Sequence, residues 1–180
     1  CIRDSDDDDR IPFVSKAGDW LYNFWQDADH PRGLWRRTTW ESYQAGRDDA
    51  SATEWDILLD IDALAAEEGI EWVFRGARLR RSDYARALIA LSPDGGDAVA
   101  HREFDLPRKT FVEDGFSIPA AKGSASWVDD DTLALTTDFG EDSMTESSYP
   151  ATARILKRGQ GLSEAQQIGE VDRSHILAGV

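Results

Sequence analysis

The sequence is poor in several things, and each shortage excludes something. It has one cysteine, Cys1, so no internal disulfide can form. That fits a reducing compartment, and a cytoplasmic location is expected. No Cys-x-x-Cys or His-x-x-x-His spacing occurs, so zinc has no ligand set. No apolar run approaches the roughly 20 residues that span a bilayer. The opening stretch is acidic and broken by charge, unlike a secretory signal. Positive charge is scarce: 20 basic residues face 35 acidic ones, for a net charge of −15. Such a field repels phosphate backbones and anionic lipid, which excludes nucleic-acid and membrane partners. Cys1 also stands where an initiator methionine is expected, so the chain reads as processed or as starting inside a longer one.

What is present is aromatic and strand-like. Seven Trp, seven Phe and four Tyr supply enough apolar area for a core and argue against disorder. After a polar lead-in over 1–10, Trp20 to Trp25 reads as an aromatic strand and Leu34 to Tyr43 as a second. Between them, Asp27-Ala28-Asp29-His30-Pro31-Arg32-Gly33 is a loop punctuated by Pro and Gly. Trp55, Ile57, Leu59 and Ile61 alternate with Asp56, Asp60 and Asp62, predicting a half-buried strand. Asp62 then caps a helical turn over 63–68, with Gly69 in the C-terminal position. Ala87 to Ser92 is apolar on both faces, as an interior strand requires. Pro93-Asp94-Gly95-Gly96 turns the chain into a partner over 98–106, followed by a short strand over 110–112. The pattern restarts at Ser126, with strands over 132–139 and 152–157, an ambiguous segment over 163–171 and a frayed tail over 173–180.

Hairpins and meanders with no long amphipathic helix between them argue against a parallel α/β fold. Restarts near Trp20, Ala87 and Ser126 suggest repeated sheet units; the second interval is close to the roughly 40 to 50 residues of one propeller blade, and the loop over 45–53 with the helical turn after Asp62 accounts for the longer first one. A β-sandwich would give a similar pattern.

Five stretches carry a resemblance. They are Tyr22-Asn23-Phe24-Trp25-Gln26-Asp27-Ala28-Asp29-His30-Pro31-Arg32-Gly33-Leu34-Trp35-Arg36-Arg37-Thr38-Thr39, then Glu54 to Leu64, His101-Arg102-Glu103-Phe104-Asp105-Leu106, Ser126-Trp127-Val128-Asp129 and Thr137-Asp138-Phe139-Gly140. In that order they resemble the N-terminal propeller of bacterial prolyl oligopeptidase-like enzymes, the S9 serine peptidases. The resemblance implies an all-β, partial β-propeller over 11–172, with about three antiparallel four-stranded blades and an incomplete ring. It implies a parent enzyme in which an α/β-hydrolase domain carries a Ser-Asp-His triad. The propeller then restricts entry to short peptides. Neither that domain nor the helical segment that usually precedes the propeller is found in these 180 residues.

A direct search for catalytic groups agrees. Gly115-Phe116-Ser117-Ile118-Pro119 comes nearest to G-x-S-x-G, but Pro replaces the second Gly and no helix pattern follows. Gly123-Ser124-Ala125-Ser126 fails too. His30 reads as a loop histidine bonded to a neighbouring carboxylate, His101 as a cross-strand or solvent-facing residue on the face of Glu103, and His175 as part of the frayed end. Gly95-Gly96 opens a hairpin rather than a phosphate-holding helix. Arg32, Arg36 and Arg37 are expected to pair with nearby Asp residues rather than with a peptide carboxylate. The tetrad Asp6 to Asp9 lacks the alternation and the Gly of a calcium loop. The expectation is therefore no catalytic, cofactor or metal residue, and no activity in this chain alone. Two functions fit: the substrate-gating propeller of a serine oligopeptidase, partnered by its catalytic domain, or a stand-alone binding or assembly module. About three blades cannot close a ring, so open sheet edges are expected to drive self-association.

Overall fold

The structure, a computed structural model, describes residues 12–140 and 143–172. The lead-in over 1–10 and the tail over 173–180, with Asp6 to Asp9 and His175, lie outside the described residues. The fold is all-β: three antiparallel sheets of four, five and four strands among the described residues, consistent with part of a propeller. The chain divides into two compact units, 1–70 and 71–180.

The first unit holds one sheet in the order β1-β2-β3-β4. Its strands are β1 (Ser15–Ala17), β2 (Trp20–Trp25), β3 (Leu34–Thr39) and β4 (Asp56–Asp60). Leu21, Tyr22, Leu34, Trp35 and Leu58 are buried there, and Tyr22 stacks on Trp35 at 5.8 Å. The strand expected over 34–43 stops early. Thr39 turns extended and accepts the amide of Ser42, and helix α1 (Trp40–Ala45) begins. A hydroxyl at an N-cap offers the backbone an alternative to the ladder.

The alternation expected in β4 is also overturned, because Leu58 is buried and Ile57 is exposed. Trp35 faces Leu59 but Arg36 faces Ile57, so Leu58 is the extra residue of a bulge that reverses the phase. Helix α2 (Ile61–Glu68) follows, and its cap is Asp60, not Asp62: Asp60 accepts the amide of Ala63. Gly69, at φ 66°, closes the helix in the left-handed conformation, as expected.

The second unit holds two sheets. One comprises β5 (Val73–Leu79), β6 (Arg86–Ser92), β7 (Val99–Asp105), β8 (Thr110–Phe111) and β9 (Ser117–Ala121). The other runs β10 (Ser124–Asp129), β11 (Thr132–Thr136), β12 (Thr152–Lys157) and β13 (Gln166–Glu170). Strand β6 is central and buried on both faces, with Ala87, Leu88, Ile89 and Leu91 all fully covered. The segment left ambiguous over 163–171 is a 3-10 turn, Leu162–Glu164, and then strand β13.

One sheet exceeds the expected four strands because its fourth position is shared. Strand β8 pairs with Phe104 and Asp105, and β9 with the other end of β7, from Val99 to Arg102. The two sheets of this unit pack through one apolar layer. Leu88, Phe116 and Ile118 come from one side, and Ala125, Leu133, Leu135 and Leu156 from the other.

Candidate functional site

The residues singled out in the sequence do not converge. Ser117 is exposed on β9 and faces Arg102 across the ladder, whereas His101 is paired with Ile118. Successive strand residues point to opposite faces, so Ser117 and His101 are on different sides of the sheet. Ser126 accepts a bond from Arg78, and Ser124 bonds Thr136. Gly95 makes its turn at φ 77°, with Gly96 donating to Asp94.

His30 is a bonded loop histidine, as expected. Asp27 Oδ1 accepts the amides of Asp29 and His30 and meets His30 Nδ1 at 3.1 Å, and its Oδ2 accepts Trp25 Nε1. Desolvation is the largest single influence on the Asp27 carboxyl and works to raise its pKa. The bonds from the His30 amide, the His30 ring and Trp25 outweigh it and hold the carboxyl below its usual range. Asp62 clamps the other end of this loop, accepting the amides of Arg32 and Gly33. Arg37 pairs with Asp56 at 2.8 Å and lies over Trp20. The Arg36 guanidinium lies over Trp25, at 4.7 Å, and Trp55, at 4.0 Å, while Nε donates to Asn23.

His101 decides between the two readings left open for it. It is not solvent-facing but 8% exposed, on the face of β7 that carries Glu103. Burial, helped by the charge of Arg78, lowers its pKa from 6.5 to about 4. The imidazole is therefore neutral at physiological pH.

Glu103 is the centre that the sequence did not reveal. It is 1% exposed. Its carboxylate accepts Arg158 Nη1 at 2.8 Å and Nη2 at 3.2 Å, a bidentate pair joining the two sheets of the second unit. The amide of Phe116 donates to the same carboxylate at 3.0 Å, and Arg86 Nε lies 3.5 Å away. Arg86 also pairs with Asp105. Arg158 is held further by Asp131 at 2.7 Å and by the Asp130 carbonyl. The hydrogen bond with Glu103 leads the causes that raise its pKa.

This centre explains the divided fourth strand. The backbone of Glu103 bonds Val112 and Phe116 on either side of a short excursion, and Gly115 sits against the carboxylate. A Cβ at Gly115 would stand 2.7 Å from Val112 Cβ and 2.9 Å from Glu103 Oε2. The one sequence signal of this centre is that glycine, since a glycine in a strand region often marks close approach. Beside the ion network lies an open groove of about 770 Å³, lined by Asp129, Asp130, Asp131, Thr132, Lys157 and Arg158. Among the described residues no cluster of His, Cys, Asp and Glu is arranged to hold a metal ion, and no helix is long and apolar enough to cross a membrane.

Comparison with known proteins returns one consistent set. The family described as "Prolyl oligopeptidase, N-terminal beta-propeller domain" matches residues 2–180. An uncharacterized peptidase of Sinorhizobium fredii is 43% identical over 171 residues, which cover 94% of this chain and 23% of that protein. An uncharacterized peptidase of Rickettsia prowazekii is 33% identical over 165 residues, covering 87% of this chain and 22% of that protein. Among solved structures, a post-proline cleaving enzyme from Rickettsia typhi superposes with a TM-score of 0.86 at 30% identity, over 95% of this chain and 25% of that one. The chain thus spans about a quarter of the length of these relatives.

Proposed function

Because the chain belongs to the prolyl oligopeptidase family through its N-terminal β-propeller domain, we propose that it is the substrate-gating part of a serine peptidase acting on short peptides. The observation that carries this reading is the family match over residues 2–180, joined to a TM-score of 0.86 against a post-proline cleaving enzyme. The bond-breaking groups belong to a catalytic domain outside these residues, and the propeller contributes exclusion. A wall of packed sheets admits a flexible peptide and rejects a folded protein, because unfolding that protein costs several kcal/mol. The Glu103–Arg158 pair supports the reading physically, since it adds a directional, bidentate tie between two sheets of the wall to their shared apolar layer.

Two measurements test it. A fluorophosphonate probe is expected to label the whole protein at a serine outside residues 1–180 and to leave this chain unlabelled. Labelling of Ser117, Ser124 or Ser126 would sink the assignment. The whole protein is also expected to cleave a short proline-containing peptide and to spare a folded protein displaying the same segment in a surface loop. Equal cleavage of both would remove the gating role and leave only the family.

A further inference from the structure

Strands β5 and β10 each begin a sheet, and each lies at a free edge of it. The two edges are in contact. Trp127 Nε1 donates to the Arg78 carbonyl at 2.9 Å, and Arg78 Nη1 donates to Ser126 Oγ at 2.8 Å. Propeller sheets are arranged around a central channel, and the gating reading above assigns these two edges to its wall.

The charge on this edge runs against the rest of the chain. Arg75 and Arg78 are both exposed there. Arg75 is the extra residue of a bulge: Phe74 faces Leu91 and Gly76 faces Ala90, so Arg75 has no cross-strand partner. Gly76, at φ 129°, supplies a backbone conformation that side chains rarely adopt. A bulge of this kind re-aims a side chain. Arg75 makes a long 3.5 Å contact to the Gly96 carbonyl, and Arg78 bonds a serine hydroxyl. Among the described residues neither meets a carboxylate, although the sequence holds 35 acidic residues for 20 basic ones. Arg37, Arg80, Arg86, Arg108 and Arg158 all do.

We propose that Arg75 and Arg78 form a carboxylate-reading strip on the channel wall and bias the enzyme toward peptides that carry a carboxylate. This rests on the gating reading above and adds a substrate class to it. The strip acts on peptide capture, not on bond breaking. Its effect therefore falls on KM, and salt screens it because both groups are in water.

The test uses the whole protein and one proline-containing peptide in four forms: amidated and neutral, free acid, amidated with one added Glu, and amidated with one added Lys. In the double variant Arg75→Gln, Arg78→Gln, kcat/KM is expected to fall by about fivefold for a carboxylate peptide, a few-fold effect of the size typical of exposed charge pairs. The neutral peptide should keep its kcat/KM and so report an intact fold. The Lys peptide should be unchanged or improved, and high salt should erase the difference between variant and wild type. A response confined to the free acid assigns the C-terminal carboxylate as the group read, and one confined to the Glu peptide assigns the side chain. An unchanged ratio of acidic to neutral kcat/KM, with peptidase activity intact, overturns the strip alone. A wild-type protein that cleaves none of the four overturns the peptidase reading and the strip with it.

Discussion

The two units solve the same problem, a guanidinium taken out of water, in different ways. In the first, Arg36 is 9% exposed and lies over the rings of Trp25 and Trp55, with the Asn23 amide oxygen on its Nε. In the second, Arg158 meets Glu103, a carboxylate that is itself 1% exposed. Aromatic faces attract a cation through a fixed quadrupole, which neither titrates nor demands one geometry. A buried carboxylate attracts more strongly, but it must be ionised, and it leaves a costly charge behind if its partner goes. The first arrangement tolerates change, whereas the second fixes one register between two sheets.

That contrast can be broken from the strong side first. Glu103→Ala leaves Arg158 and Arg86 facing a buried gap, and a stability loss of about 3–5 kcal/mol is expected in denaturant unfolding. A loss below about 1 kcal/mol would mean that water replaces the carboxylate and that the pair does not hold the sheets. The matching change in the first unit, Arg36→Ala, removes the two ring contacts and the packing of the side-chain stem. It should cost less, about 2 kcal/mol. If it costs more than Glu103→Ala, the ranking drawn here is reversed.

The smallest effect sharpens the comparison through pH. His101 has a folded pKa of about 4 against 6.5 for the free side chain. A depressed histidine binds its proton more readily in the unfolded state, so its neutral burial costs nothing above pH 6.5. Stability is then lost as pH falls from 6.5 toward 4. A loss on the order of 1–2 kcal/mol between pH 7 and pH 5 is expected, and His101→Leu should flatten it. An unflattened profile would shift the acid sensitivity to the carboxylates.

Much of this fold was legible in the sequence, and most of the failures trace to pairing between distant segments. Trp20 to Trp25 was bounded correctly because four of its six residues are aromatic, and Thr152 to Lys157 matched its expected bounds as well. Gly69 marked the end of α2 because a left-handed residue needs no tertiary partner. The inversion in β4 was hidden, since the bulge at Leu58 depends on pairing with β3. Strand β9 was missed because Pro119 and the small residues around it read as turn. Glu103 was hidden most completely. Within His101-Arg102-Glu103 every residue reads as polar surface, and the partner that reverses this is Arg158, 55 residues away. Arg75 escaped for the same reason, because only the register with β6 reveals its bulge.

The divided strand opposite β7 has a further effect outside the site. A continuous outer strand would present an unbroken row of amides and carbonyls on which another chain could template itself. Here that border is interrupted between Phe111 and Ser117, and the amides of Val112, Gly115 and Phe116 turn inward to Glu103 and to Val112. An incoming strand would lose its pairing halfway along. The residues that fasten the two sheets together thereby also deny neighbouring molecules a template for aggregation.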